Sequence, residues 1–180
     1  HQGSVGSAPA ASPGWGSGDA APVLYTLPEL IDPATAWQPV YICEGEKDAD
    51  RLAALGLVAS CNFDGASAAG QKPKWRPEYN QHLAGRVVYI LADNDDAGRA
   101  HAEHVARNLH KVAQAVKVID LPDLPPKGDV SDWLDAGHNK EALERECLLT
   151  ALWQPAADDA AVAQDGHAIA EALDFAPHVR

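Results

Sequence analysis

With 180 residues, 46% of them apolar, the chain is long enough for one domain with a real core plus tails. Its 26 acidic against 14 basic residues give a formal charge of -12, the wrong sign for a protein that grips nucleic acid with its whole surface. A phosphate-bearing substrate would therefore need divalent cations, a local basic patch or a separate basic domain. No apolar run reaches the roughly eighteen residues of a membrane span, and the opening residues lack the layout of a signal peptide.

Residues 1–22 are rich in Gly, Ser, Ala and Pro and read as a flexible linker. The domain proper is expected over 23–150. Residues 39–43, PVYIC, read as a buried strand, followed by a helix over 46–55 with Gly56 at its C-terminal cap. A second strand over 57–63 leads through a Gly- and Ala-rich loop into a short helix around 77–83. The third strand, 86–92, runs into a helix over 96–111, whose inner stripe is Ala102, Val105, Ala106 and Leu109 and whose outer face carries Arg99, Glu103 and Arg107. A fourth strand over 115–121 precedes a short helix in DVSDWLDAG and a longer one from Asn139 to about Trp153. Residues 151–180 read as an Ala-rich, acidic helix or tail. Near-continuous apolar strands alternating with helices predict an α/β fold of about four mostly parallel strands, covered by helices on both faces.

Cys43, Cys61 and Cys147 form no CxxC pair, which suits buried thiols in a reducing, cytoplasmic setting. No methionine opens the chain, which suggests an excised fragment or a processed product.

The chemistry concentrates in three acidic groups. Asp93 and Asp95 stand where the third strand ends and a helix begins, and ligands of open α/β sheets bind beyond the carboxyl ends of strands. Such a DxD pair offers the oxygens that Mg²⁺ or Mn²⁺ takes, although Asp95 or Asp96 could equally cap the helix. Glu44 ends the first strand, followed by Gly45 and Asp48, while Asp129 and Asp132 follow the fourth strand, where either could be a helix cap. Other chemistries fit poorly. As a calcium loop, DNDDAGRAHAEH has Ala97 at position five and His104 at position twelve. GASAAGQK has Gln71 at the lysine position of a P-loop, and no nucleophile elbow anchors a Ser/His/Asp set. His101, His104 and His110 read as surface residues of a helix flank rather than zinc ligands. The one dense basic stretch, Lys72, Lys74 and Arg76, reads first as a solvated loop.

EGEKDADRLAALG, then LADNDDAGRAHA, then KGDVSDWL together resemble the Toprim domain shared by bacterial primases, topoisomerases and some nucleases, over roughly residues 23–137. Within that family the likeness is greatest to primase and primase-helicase proteins of phages, plasmids and integrated elements. The resemblance implies metal-dependent phosphoryl transfer on nucleic acid, with two Mg²⁺ (or Mn²⁺) ions held by Glu44, Asp93 and Asp95 as catalytic ligands and by Asp48, Asp129 and, less securely placed, Asp132. In strand-cleaving relatives the glutamate acts instead as general acid or base. Lys72 and Lys74 become candidates for substrate phosphate, and DNA template, nucleotides and a helicase become the expected partners. The chain departs from cellular primases in having only a linker where a basic, template-guiding subdomain would stand. Residues 1–180 alone are therefore expected to make primers poorly. Two other readings stay open: a DNA-hydrolysing nuclease of the overcoming-lysogenisation type, and a non-catalytic docking module. A topoisomerase is disfavoured, because its tyrosine normally lies in another domain and Tyr25, Tyr41, Tyr79 and Tyr89 read as strand or linker residues. In ILADNDDAGR, Asp93 and Asp95 are then metal ligands, Asn94 a spacer, Asp96 the helix cap, and Gly98 a point of close packing.

Overall fold

A computed structural model describes residues 23–62 and 73–156. The predicted linker 1–22, Lys72 with most of the loop before it, and residues 157–180 lie outside the described residues.

Four strands form one parallel sheet in the order β2-β1-β3-β4: β1 Val40–Ile42, β2 Val58–Ser60, β3 Val87–Leu91 and β4 Ala115–Ile119. Their sequences VYI, VAS, VVYIL and AVKVI are mostly apolar and β-branched, and β1 and β2 are buried throughout, as strands covered on both faces must be. Alternation divides the core in two. Val40, Ile42, Val88, Ile90 and Val116 face one side, with Ala102, Val105 and Leu109 of α3 (Asp96–Leu109) and Leu30 of α1 (Leu27–Ile31). Tyr41, Cys43, Tyr89, Leu91 and Ile119 face the other. There they meet Leu52 of α2 (Glu46–Ala54), Trp133 of α4 (Val130–Asp135), and Leu143 and Cys147 of α5 (Lys140–Leu149). The predicted fold class and strand number are therefore observed, and helices cover both faces. All three cysteines are buried and unpaired.

Local signals set the helix boundaries. Glu46 and Asp48 in the first turn of α2 and Arg51 in its last complement the macrodipole. Gly56 follows at φ +75°, a conformation a side chain would disfavour, where the chain turns into β2. The predicted helix near residue 80 is a 3₁₀ helix, Pro77–Leu83. One expectation fails at the end of the domain: α5 stops at Leu149 instead of reaching Trp153. Thr150 leaves helical geometry at ψ 135°, and the Trp153 N–H then donates to Val116 O (2.8 Å) while its indole Nε1 donates to Glu103 (2.7 Å). Bonding to the start of β4 and to α3 outweighs one more helical turn. Among the described residues no helix is long and apolar enough to cross a membrane.

The strand order positions the site. From β1 the chain crosses to β2 on one side, and from β3 it crosses to β4 on the other. The order therefore reverses between β1 and β3, and the crevice at their carboxyl ends is the switch point where ligands of open α/β sheets bind.

Candidate metal centre at the carboxyl end of the sheet

Glu44 lies two residues beyond β1 and Asp93 two beyond β3, and the register Ile42↔Ile90 brings both to the same end of the neighbouring strands. Their carboxyl groups share a hydrogen bond. Burial, the Glu44 charge and that hydrogen bond, with Asp48 and Asp129 nearby, push Asp93 up to about 8. Carboxylates this close need a proton or a cation.

Backbone contact fixes Asp93 in place. A Cβ on Gly98 would stand 2.8 Å from both Asp93 Cβ and Asp93 O and 3.0 Å from Asp93 N, so only glycine lets the first turn of α3 sit against the strand end. Asp95, not Asp96, caps α3: its Oδ1 accepts the Gly98 N–H at 2.8 Å. Asp96 was expected in that role, but it begins the helix with its side chain in solvent and pairs with Arg99 at 2.9 Å. One residue decides the difference, because the extended φ/ψ of a cap falls on Asp95 (-146°, 174°).

Asn94 does more than space the two aspartates. Its Nδ2 donates to Leu124 O (2.7 Å) and Pro125 O (3.0 Å), its N–H to Gly128 O (2.9 Å), and its carbonyl accepts the Lys127 N–H (2.9 Å). These four bonds tie the loop carrying the third acidic motif to the DxD turn.

That motif opens α4 with a capping box. Asp129 Oδ1 accepts the Asp132 N–H (2.9 Å), and Asp132 Oδ2 accepts the Asp129 N–H (3.1 Å). Asp129 also takes Lys47 Nζ on Oδ2 at 2.6 Å. Burial alone would raise the Asp129 pKa, but the Lys47 hydrogen bond and the Asp132 N–H outweigh it and leave the group below its ordinary value. Asp48 is buried in the first turn of α2, receives the Ser131 hydroxyl on Oδ1, and is held above its ordinary value chiefly by desolvation.

The predicted ligands therefore separate. Glu44, Asp48 and Asp129 all act electrostatically on Asp93, whereas Asp95 and Asp132 each spend an oxygen on a helix start, as Asp129 also does with its Oδ1. Among the described residues, no three His, Cys, Asp or Glu side chains stand arranged to hold a metal ion. By chemistry the donors suit a hard cation, since Glu44, Asp48 and Asp129 all act electrostatically on Asp93 and each offers carboxylate oxygen, with the Lys47 ammonium bonded to Asp129.

Lys74, half-buried before Trp75, lies near enough to His101 to help lower that residue's pKa, so it belongs beside α3. The histidine expectation needs correction as well. His101 is buried, and desolvation brings it down to about 4, while His110 packs edge-on against Trp153 at 5.3 Å. Lys47 was missed in the sequence, although it stands inside the motif EGEKD. A cation in the first turn of a helix, where the macrodipole disfavours one, was the available signal.

No family model matches the chain, and no curated protein matches it. Solved structures do share its fold. One is the Aquifex aeolicus primase, zinc-binding and RNA polymerase domains, at 23% identity over 64% of this chain and 26% of that one, TM-score 0.51. Another is the DnaG catalytic core, at 22% identity over 72% of this chain and 40% of that one, TM-score 0.53. The likeness is one of fold, and the chain spans well under half the length of either structure.

Proposed function

We propose that this chain is the metal-binding catalytic module, of Toprim type, of a DNA primase or primase-helicase from a phage or mobile element, working in the cytoplasm on DNA and nucleotides. The observation that carries the reading is the Glu44–Asp93 carboxyl pair at the switch point between β1 and β3. Its fold likeness to primase cores adds support.

Glu44, Asp93 and the Oδ2 of Asp129 would hold Mg²⁺ or Mn²⁺, with Asp95 contributing the oxygen not spent on α3. A bound cation of this kind neutralises triphosphate charge and orients the attacking and leaving oxygens. The protein residues do the rest. Asp48, locked by Ser131, keeps the start of α2 facing the crevice; Asn94 fixes the distance between the DxD turn and α4; Gly98 lets Asp93 reach its place. The net acidity of the chain leaves template binding to additional domains or to partners such as a helicase.

Calorimetry with Mg²⁺ or Mn²⁺, followed by ribonucleotide incorporation on single-stranded DNA, tests the reading. Cation binding lost in Asp93→Asn is expected, as is cation-dependent incorporation by a longer protein containing this module, with little by residues 1–180 alone. Cation-dependent nicking of DNA abolished by Glu44→Gln would instead make it a nuclease. Absence of any cation binding would leave a docking module.

A further inference from the structure

Lys47 stands where helix electrostatics disfavour it, in the first turn of α2 beside Glu46 and Asp48. Its ammonium lies 2.6 Å from Asp129 Oδ2 and 4.0 Å from Asp48 Oδ1. The two partners differ in exposure: 67% of the Lys47 side chain is in solvent, against 16% for Asp129. Asp129 Oδ1 is already committed to the cap of α4, so Oδ2 is the oxygen left to bind anything else, and Lys47 takes it.

We propose that Lys47 is a tethered counter-ion: it occupies Asp129 Oδ2 in the cation-free protein and yields that oxygen when a divalent cation enters the Glu44–Asp93 crevice. The inference rests on reading those carboxylates as metal ligands. An exposed ammonium on a flexible four-carbon stem re-enters water easily, and an ion pair of this kind is weak. A doubly charged ion bound by several carboxylates at once outcompetes it, whereas a monovalent ion does not. Asp129 is never left as a bare, half-buried charge, and the α2–α4 contact survives in either state through Arg51 and Asp135, 2.7 Å apart. Lys47 is thus a positioning residue that sets the cation concentration at which the centre assembles.

Titration calorimetry of Mn²⁺ into the 180-residue chain tests this, counting the site that Asp93→Asn abolishes. Lys47→Met is expected to bind Mn²⁺ about ten-fold more tightly, because a like charge has left the site, while Lys47→Arg stays within about two-fold of the native chain. In EDTA, Lys47→Met is expected to melt lower than the native chain, and saturating Mn²⁺ should close the gap. If Lys47→Met loses its circular-dichroism signature, Lys47→Gln, which keeps a hydrogen-bond donor without the charge, carries the same ten-fold expectation. Equal or weaker Mn²⁺ binding in the neutral variants overturns the counter-ion while leaving the metal centre standing. No Mn²⁺ binding by the native chain or any variant overturns the metal centre itself.

Discussion

Asp93 and Asp129 occupy one crevice and have opposite electrostatic surroundings. Asp93, half-buried against Glu44 and, among the described residues, bonded to no ammonium, is pushed up to about 8. Asp129 is also partly buried, but Lys47 and a helix-start N–H compensate it, and its pKa falls below the ordinary value. Asp93 is the more deeply desolvated of the two, and what faces each carboxyl differs in sign. The Glu44–Asp93 half of the crevice, where carboxyl faces carboxyl, is where a cation gains most, and the Lys47–Asp129 half is where one must compete.

Breaking the Glu44–Asp93 half should have the largest effect. In a longer protein that incorporates nucleotides, Asp93→Asn and Glu44→Gln are each expected to lower cation-dependent incorporation on the order of 100-fold, measured as initial rates at saturating Mg²⁺. Gly98→Ala approaches the same half from behind. Its methyl group meets the Asp93 backbone, and chemical denaturation should show a loss of about 1–3 kcal/mol together with weakened cation binding.

The pH dependence sharpens the contrast, because the two groups slope in opposite directions. Asp93 has a folded pKa above its unfolded value, so stability falls progressively as pH rises from about 4 to about 8, where the unfolded chain ionises this carboxyl and the folded one resists doing so. In EDTA, Asp93→Asn is therefore expected to melt above the native chain at pH 8 by about a few degrees, the gain shrinking toward pH 4. Asp129 has a lowered folded pKa, so its contribution is present above the unfolded pKa and is lost as pH falls through the folded one. Asp129→Ala, which removes the cap of α4 and frees Lys47, should cost about 1 kcal/mol at pH 7, the smallest effect and opposite in sign to Asp93→Asn. Equal responses of the two variants at pH 8 would show that the two halves do not differ.

Much of this was legible in the chain. The four apolar runs bounded by glycine, proline and acidic residues correspond to β1–β4, and the acidic motifs were expected at strand ends because polar residues follow each run abruptly. Less visible was which aspartate does what. Asp95 and Asp96 are chemically identical neighbours, and only the extended backbone at residue 95 makes it the cap. Asn94 looked like a spacer, since its partners, the carbonyls of Leu124, Pro125 and Gly128, lie about thirty residues away. His101 was expected on a surface face, and it is buried because the helix packs on more than its small-residue stripe.

The sequence by itself determined the class of fold and the inventory of carboxylates, because hydrophobic period and residue type are local properties. Only the tertiary structure decided the strand order that makes β1 and β3 neighbours, and with it the pairing of Glu44 with Asp93 and of Lys47 with Asp129. Lys47 and Asp129 are 82 residues apart, and the charge each meets depends on a distance that no local pattern encodes.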